Sequence, residues 1–271
     1  MRDFSRPGRS LAYGTRGMIA TSHPQASLAA LDILKAGGSA VDAAIAASAV
    51  LCVVEPQSTG IGGDCFALVH RPADGLRGYN GSGRSPAALD PERFFGRGPI
   101  ADNSADAVTV PGAVEAWQQL LTRYGRFDLD RLLRPAIALA EDGFAVTPRV
   151  ASDWRREEAR IGLLDRSRHQ LTRDGKAPVA GDRWRFPELG AALRQIAGKG
   201  IDAFYRGAIA EDIVATLRAA GGDHSLDDLA SHAGEWVTPI ATEYAGRSIA
   251  ELPPNGHGVT ALIILNILRR L

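Results

Sequence analysis

Cysteine and unbalanced charge are both scarce in this sequence, and each absence excludes a class of protein. Cys52 and Cys65 are the only cysteines among 271 residues, too few for a disulfide framework. We predict that both are reduced core residues, because cysteine outside a disulfide is usually buried. The 31 basic and 31 acidic residues give a formal net charge of zero. We therefore expect no nucleic-acid partner and no binding to an acidic membrane surface.

Long apolar runs and a leader-like start are missing too. The longest apolar runs, residues 43–54 and 261–268, are far shorter than the roughly 20 residues that span a bilayer. Residues 1–17 are rich in arginine and contain no apolar segment of the kind found in secretory signals. We expect a protein with no membrane partner, located in the cytoplasm, or in the periplasm if a leader has been removed.

Complete catalytic and cofactor-binding motifs are likewise absent. The six histidines are scattered, and neither an HExxH nor a CxxC motif occurs, so we expect no metal site. Neither a P-loop nor a G-x-S-x-G motif occurs, and we expect no cofactor. Gly60, Gly62 and Gly63 come after a predicted helix and before a predicted strand, which reverses the order of a dinucleotide-binding fingerprint. A nucleotide-binding module would require phosphate binding at these glycines.

The residues after Ser39 carry the clearest pattern of elements. Ser39 and Asp42 have the spacing of a capping box that starts a helix. The helix carries small, apolar side chains on nearly every face, so we predict that it is buried. It ends near Glu55, the chain turns through residues 60–63, and a strand begins at Cys65. Glycines at this spacing allow a left-handed backbone or the close approach of another group, so the turn packs tightly or lines a site.

The remaining pattern predicts a chain of mixed helices and strands. Pro24 starts a helix that Gly37 and Gly38 end. Strands are predicted over residues 18–22, 65–70, 76–80, 107–110 and 247–252, helices over residues 113–124, 130–142, 187–197, 204–219 and 259–271, and a charged, solvated helical excursion over residues 150–186. We therefore predict an α/β or α+β fold, with a flexible arm over residues 1–16 and one domain over residues 17–271. A helical subregion covers about residues 113–220.

Several stretches resemble the gamma-glutamyltranspeptidase family, in collinear order over about residues 17–271. They are residues 17–24, 33–44, 54–63, 110–114, 134–140, 142–144, 204–207, 253–256 and 265–268. The resemblance implies an N-terminal-nucleophile hydrolase with an αββα sandwich, incomplete here because the chain is similar to most of the family's large subunit. It also implies a precursor that cuts itself in two, and a small-molecule amide as the substrate.

The resemblance places the nucleophile on the N-terminal threonine of a small subunit, with the threonine's own α-amine as the base. An acyl-enzyme forms, and an oxyanion hole stabilises the intermediate. None of the 11 threonines here is followed by threonine or histidine, so the family's Thr-Thr-His processing site is absent. We therefore expect no catalytic residue in this chain and a nucleophilic threonine beyond Leu271, on a partner small-subunit segment. The alternative is an inactive fragment or a non-catalytic subunit.

The resemblance also implies an arginine that binds the substrate's α-carboxylate, four residues before a proline in the transpeptidases proper. Ser82 takes that place here, and the nearest arginine is Arg84, two residues before Pro86. We predict Arg84 and Ser82 as substrate-binding residues, with a structural role in a surface loop as the alternative for Arg84. The shift weakens the case for gamma-glutamyl specificity. It fits divergent branches that resemble oxamate amidohydrolase or cephalosporin acylase, which cleave other acyl amides.

Three further polar residues receive structural interpretations. Asp64 is predicted to satisfy N–H groups of the turn rather than to take part in catalysis. Glu55 is predicted to act at a helix end or in an ion pair rather than as an acid or base. His23 lies next to a serine, but adjacent residues on an extended segment point to opposite faces, which argues against a catalytic dyad.

Overall fold

Two compact units make up the part of the chain that the structure describes. The structure is a computed structural model that describes residues 11–161 and 165–271. One unit is Met1–Gly60 with Leu121–Phe204, and the other is Ile61–Leu120 with Tyr205–Leu271. The arm predicted over residues 1–16 falls mostly on residues 1–10, outside the described residues, and it stays a prediction. The assignment of the rest of the chain to one domain stays a prediction as well.

Helices and strands follow one another in mixed order, which confirms that the fold contains both. The helices are α1 (Pro24–Lys35), α2 (Ala40–Val54), α3 (Ala113–Tyr124), α4 (Leu129–Asp142), α5 (Pro148–Arg156), α6 (Glu158–Ile161), α7 (Asp165–Leu171), α8 (Pro187–Lys199), α9 (Asp202–Tyr205), α10 (Ala208–Ala219), α11 (Leu226–Ala230) and α12 (Gly258–Leu268). Two 3-10 helices cover Pro91–Phe94 and Ala105–Ala107. The strands are β1 (Cys65–Arg71), β2 (Gly75–Gly81), β3 (Phe144–Ala145), β4 (Arg183–Trp184), β5 (Glu235–Val237), β6 (Ile240–Tyr244) and β7 (Arg247–Glu251).

The strands pair into small antiparallel sheets. Across the described residues the sheets have the orders β1-β2-β5, β3-β4 and β6-β7. The layered αββα sandwich stays a prediction, because the strands of the described residues form small separate sheets.

The first unit is built around the buried helix α2. Its predicted capping box is present: Ser39 Oγ accepts a hydrogen bond from Asp42 N at 3.1 Å, and Asp42 Oδ2 accepts one from Ser39 N at 2.6 Å. Most side chains of α2, including Cys52, are buried, which confirms the prediction for this helix. The Asp42 carboxylate also accepts hydrogen bonds from Arg126 N at 3.0 Å and Phe127 N at 3.3 Å. Because a buried charge needs such partners, Asp42 fixes the turn before α4 to the start of α2.

The charged excursion over residues 150–186 has an aromatic core that the sequence pattern did not indicate. Arg155 and Arg156 on α5 are exposed, as predicted for a solvated face. Trp154, by contrast, is fully buried and meets the Trp184 ring edge-on, with 5.5 Å between the ring centroids. It also stacks on Phe186 at 6.1 Å. Aromatic pairs in these geometries stabilise a fold beyond the area they bury.

The second unit contains the predicted hairpin. In the β1–β2 pair Cys65 lies opposite Gly81 and Arg71 lies opposite Gly75. Gly75 has a φ of 66°, the left-handed conformation that such a tight turn requires. Strand β5 pairs with the other edge of β2, and α12 packs on the separate β6–β7 hairpin. Strand β7 confirms the strand predicted over residues 247–252.

Two of the predicted strands are wrong. Residues 18–22 and 107–110 belong to no strand in the described residues, and an extended segment is a strand only when it joins a hydrogen-bonded ladder. Ala107 ends a 3-10 helix, and the helix predicted over residues 204–219 is divided at Gly207 into α9 and α10. The strands β3, β4, β5 and β6 were missed, because runs of two to five residues show too little periodicity.

Candidate functional site

The glycine turn between α2 and β1 forms hydrogen bonds with the start of helix α3. Gly63 O accepts hydrogen bonds from Gly112 N at 3.0 Å and Ala113 N at 2.9 Å. The first N–H groups of a helix have no partner inside it, so Gly63 caps α3. Gly60 and Gly62 have no left-handed φ, and a Cβ on either would meet no described atom within 4 Å. The predicted tight packing is therefore wrong for these two glycines, which face open space, and the other alternative, that the turn lines a site, stays a prediction.

Ser82 belongs to a ring of three side chains at the end of β2, which we call the amide ring (Asn80, Ser82 and Asn255). Asn80 Nδ2 donates to Asn255 Oδ1 at 2.9 Å, Asn255 Nδ2 donates to Ser82 Oγ at 2.9 Å, and Ser82 Oγ donates to Asn80 Oδ1 at 2.8 Å. Ser82 Oγ also lies 3.2 Å from Asn255 Oδ1, a longer alternative. In the ring each side chain donates once and accepts once, so a single assignment of donors satisfies all three.

Asn255 was missed by sequence reasoning as a residue of this site. It was noted only inside the stretch 253–256 that resembles the family. Asn80 and Asn255 are 175 positions apart, so no local spacing joins them. Only the folded chain brings the two amides together, and periodicity within a window of residues gives no signal for such a contact.

Asp64 holds the next residue of the loop. Its Oδ1 accepts a hydrogen bond from Gly83 N at 3.1 Å. The carboxylate thus satisfies a backbone N–H group, as expected for a structural aspartate, although that group lies on another loop rather than in the same turn. A Cβ on Gly83 would lie 1.6 Å from Val110 O, so the close approach of the two backbones requires glycine at this position.

The loop that carries Arg84 is also held by hydrogen bonds at Arg84 and at Ala87. Val110 N donates to Arg84 O at 3.0 Å, and Ala87 N donates to Asp228 Oδ1 at 2.9 Å. Asp228 further accepts hydrogen bonds from Ser225 N at 2.8 Å and Ser225 Oγ at 2.6 Å, which form the N-terminal cap of α11. Burial alone would raise the pKa of Asp228, but these hydrogen bonds outweigh burial and lower the pKa below its usual value. The carboxylate is therefore charged and fully engaged.

Arg84 itself lines a cleft of about 570 Å³ in the second unit, which we call the Arg84 cleft. Val110, Ser231 and His232 are among the other lining residues. The Arg84 side chain is exposed, and its guanidinium forms no hydrogen bond or ion pair with the residues that the structure describes. Ser82 is not among the lining residues, so the structure separates the two predicted binding residues. Arg84 faces the cleft and Ser82 holds its loop.

His232 was not singled out in the sequence but lies in the same cleft. Its ring stacks on Tyr205 at 5.7 Å between centroids, with 24° between the ring planes. Its Nε2 is buried without a hydrogen-bond partner among the described residues. Burial lowers the pKa of His232 and nearby Arg84 lowers it further, while Glu115 and Asp64 act in the opposite direction. The imidazole is therefore neutral at pH 7.

Glu115 on α3 is a buried carboxylate that accepts hydrogen bonds from two described groups. Tyr79 Oη donates to Glu115 Oε2 at 2.7 Å, and Gly234 N donates to the same oxygen at 3.2 Å. Burial and the Glu115 contact raise the pKa of Tyr79, so its phenol keeps its proton. Burial, Asp64 and Glu115 together raise the pKa of Cys65 to about 11, so its thiol is protonated at neutral pH. These groups anchor the site rather than react in it.

The other polar candidates of the sequence are engaged elsewhere, in the first unit. Ser22 Oγ donates to Glu55 Oε2 at 2.6 Å, and the Nδ1 atom of buried His23 accepts from Gln25 N at 3.2 Å at the start of α1. Ser22 and His23 thus have separate partners. Burial lowers the pKa of His23, and Glu55 partly opposes that shift. The arrangement is that of a helix cap.

A larger cleft, of about 750 Å³, lies in the first unit, but its lining is mixed in charge. Arg173, Arg183 and Arg185 line it together with Asp174 and Glu188. It contains none of the residues that the sequence predicted as binding residues. The Arg84 cleft is therefore the candidate site.

Within residues 11–161 and 165–271 there is no cluster of three potential metal ligands, and no helix is long and apolar enough to cross a membrane.

Known proteins resemble the chain over nearly its whole length. The sequence profile described as Gamma-glutamyltranspeptidase matches residues 26–271. The glutathione hydrolase-like YwrD proenzyme of Bacillus subtilis (strain 168) is 42% identical over 260 residues, covering 94% of this chain and 49% of that protein. The oxamate amidohydrolase proenzyme of Klebsiella pneumoniae subsp. pneumoniae is 35% identical over 270 residues, covering 95% and 50%. The crystal structure of cephalosporin acylase from Bacillus halodurans is 40% identical with a TM-score of 0.86, covering 98% and 52%.

These matches confirm the resemblance found in the sequence, including the similarity to oxamate amidohydrolase and cephalosporin acylase. The chain spans about half the length of the relatives. The matched residues include the glycine turn, the Arg84 loop and Asn255. The chain therefore belongs to the gamma-glutamyltranspeptidase family.

Proposed function

We propose that this chain forms the carboxylate-binding part of an amidohydrolase or acyltransferase. The whole protein would cleave a gamma-glutamyl or similar acyl amide through a threonine outside this chain. The observation that carries the proposal is the Arg84 guanidinium, which faces a cleft without a described partner. Its loop is held at Ser82 N, Gly83 N, Arg84 O and Ala87 N. A planar guanidinium on a fixed loop suits two parallel hydrogen bonds to a carboxylate.

The names of the relatives support a carboxylate-bearing amide as the substrate class. One relative is named for oxamate, an amide with a carboxylate on the adjacent carbon. Another is named glutathione hydrolase-like, and a gamma-glutamyl amide also carries a carboxylate. The displaced arginine favours an acyl group other than gamma-glutamyl, in which the carboxylate lies at a different distance from the amide.

The proposed reaction is acyl transfer. The threonine hydroxyl attacks the amide carbonyl carbon, and the threonine's α-amine accepts the hydroxyl proton. The tetrahedral intermediate collapses, the C–N bond breaks, and the amine leaves with that proton. Water or an acceptor amine then takes the acyl group from the threonine ester. Arg84 takes no part in these bond changes but holds the carboxylate, so that the carbonyl carbon meets the nucleophile in the right orientation.

Exposed apolar side chains support a partner segment that packs on the second unit. On β1, Phe66 and Leu68 are 45% and 42% exposed, and on α12, Ile263 and Ile267 are more than half exposed. Large apolar groups clustered on one element mark surfaces that a partner covers. Strand β1 is also an edge of its described sheet, and an edge strand offers unpaired backbone groups to another strand. We place the small-subunit segment, and the completion of the αββα layers, at these surfaces.

The test uses the complete protein that contains this chain. We expect two bands on a denaturing gel, and a single band when the threonine at the new N-terminus is replaced by alanine. A hydrolysis panel of a gamma-glutamyl anilide, oxamate and a glutaryl amide then identifies the acyl group. A single uncut band with no hydrolysis would favour the alternative, an inactive fragment or a non-catalytic subunit.

The role of Arg84 is tested by two substitutions in that protein. Arg84→Ala is expected to raise KM for the carboxylate-bearing amide by about 10- to 100-fold, the size of a lost charged hydrogen-bond pair. Arg84→Lys keeps the charge but loses the two-pronged geometry, so it should recover only part of the loss. An equal effect on a neutral amide of the same length would reject carboxylate binding by Arg84.

A further inference from the structure

We propose that Asn255 is a positioning residue for Arg84, which acts through the Ser82 hydroxyl. The inference rests on the proposed role of Arg84 as the carboxylate ligand. Asn255 lies 171 positions from Arg84 in the sequence, and it reaches the loop through the amide ring (Asn80, Ser82 and Asn255). It therefore affects substrate binding without a contact to the substrate.

Two hydrogen bonds connect Asn255 to the Arg84 loop. Its Oδ1 accepts from Asn80 Nδ2 and its Nδ2 donates to Ser82 Oγ, both at 2.9 Å. Each polar end of the side chain thus makes a hydrogen bond to the protein, which joins Asn255 to the loop. Ser82 is also held from the other side, because Asn80 Oδ1 accepts from Ser82 N at 3.1 Å and from Ser82 Oγ at 2.8 Å.

Loss of Asn255 would leave a buried donor without a partner. Asn80 is only 8% exposed, and its Nδ2 donates to Asn255 Oδ1. An unsatisfied buried amide is unfavourable, so Asn80 and the Ser82 backbone that it holds would shift to find a new partner. Ser82 is two residues before Arg84, and Gly83 between them is packed too tightly against Val110 to absorb the shift. The displacement is therefore passed to Arg84.

An arginine that the loop already holds in place binds a carboxylate tightly, because no conformational entropy is lost to order the loop on binding. Disordering the loop should therefore weaken ground-state binding and leave the bond-making groups, which lie on another segment, unaffected. The expected signature is a change in KM with little change in kcat, confined to substrates that carry the carboxylate.

The experiment measures KM and kcat for the complete protein with the carboxylate-bearing amide that it cleaves fastest and with a neutral amide of equal length. We expect Asn255→Ala to raise KM for the charged amide by about 5- to 10-fold, the effect of one lost hydrogen bond. The kcat value should change by less than about twofold, and KM for the neutral amide should be unchanged. Ser82→Ala should have the same effect, and the double variant should be no worse than either single variant.

Asn266→Ala is the matched control. Asn266 on α12 also makes a side-chain hydrogen bond, accepting from Thr242 Oγ1 at 2.6 Å, and it takes no part in the described hydrogen bonds of the amide ring. The control should leave the KM ratio of the charged and neutral amides unchanged. An Asn255→Ala variant with an unchanged ratio, or additive effects of the Asn255 and Ser82 changes, would overturn the inference. Arg84→Ala, measured in parallel, distinguishes the role of Asn255 from the proposed function. If the KM ratio of the charged and neutral amides is unchanged in Arg84→Ala, the proposed function itself is overturned.

Discussion

Asp42 in the first unit and Arg84 in the second are both charged, yet their surroundings are opposite. Asp42 is fully buried and accepts hydrogen bonds from the backbone N–H groups of Ser39, Arg126 and Phe127. Arg84 is exposed, and its guanidinium has no partner among the described residues. A charge that the fold satisfies completely stabilises the fold, whereas a charge left without partners on a fixed loop is available to a ligand.

The same contrast extends to the surroundings of each charge. In the first unit, the polar residues considered in the sequence are engaged, since Ser22 Oγ donates to Glu55 and His23 Nδ1 accepts from Gln25 N. The second unit combines an open cleft with exposed apolar side chains on β1 and α12. The first unit has a larger cleft, but arginines and carboxylates line it together, so the proposed site and partner surface are placed in the second unit.

The largest expected effect tests the structural half of this contrast. Asp42→Ala removes the acceptor of three backbone N–H groups, so it should lower the free energy of unfolding by about 3 kcal/mol or more. Urea denaturation followed by circular dichroism measures the loss. Asp32→Ala is the control, because Asp32 is exposed and its carboxylate forms a surface ion pair with Lys35, at 3.4 Å, a pair worth less than about 1 kcal/mol. A loss below about 1 kcal/mol for Asp42→Ala would show that the hydrogen bonds of Asp42 do not stabilise the fold as this contrast requires.

A smaller effect is expected from a pair of glycines near the candidate site. Gly83→Ala places a Cβ 1.6 Å from Val110 O, so the loop must move, at a cost of about 2 kcal/mol in the free energy of unfolding. Gly62→Ala meets no described atom within 4 Å and has no left-handed φ, so it should change stability by less than about 0.5 kcal/mol. Thermal unfolding of both variants checks the difference. Equal destabilisation by the two would mean that the Arg84 loop is not held as tightly as the contacts indicate.

Local signals were enough to predict much of the fold. The capping box at Ser39, the hairpin around Gly75 and the helices over residues 113–142 follow from spacing within a few residues, and all are present. The strands predicted at residues 18–22 and 107–110 failed because an apolar extended segment becomes a strand only if a neighbour pairs with it. Pairing is a property of the folded chain, which no short window of sequence contains.

The candidate site was less accessible to sequence reasoning. Arg84 and Ser82 were found through a resemblance to a family, and their roles as binding residues stay a proposal. Asn255 and His232 join the Arg84 loop from far along the chain, so nothing in their local sequence indicates a common site. The open space beside Gly60 and Gly62 opposes the predicted tight packing and leaves the other alternative, a turn that lines a site, as a prediction.

The smallest expected effect compares buried His23 in the first unit with half-buried His232 in the second. Burial lowers the pKa of both in the folded state, so the unfolded chain binds more protons as the pH falls through the ordinary histidine value of about 6.5. Stability should therefore be complete above that pH and decrease below it, toward the lowered folded-state values. Urea unfolding between pH 7.5 and pH 5 in about half-unit steps measures the slope.

Substitutions at the two histidines and at Arg84 show how much each histidine contributes to the pH dependence of stability. His23→Asn removes the titration but keeps an acceptor at the start of α1, where asparagine caps well, so its stability at pH 7 should be nearly unchanged. His232→Gln should remove the second contribution, and Arg84→Ala should diminish it, because the Arg84 charge helps to lower the pKa of His232. Glu115 and Asp64, which oppose that shift, remain in both variants. If Arg84→Ala leaves the slope unchanged, the guanidinium does not face the histidine side of the cleft, and the carboxylate it is proposed to bind must lie further from His232.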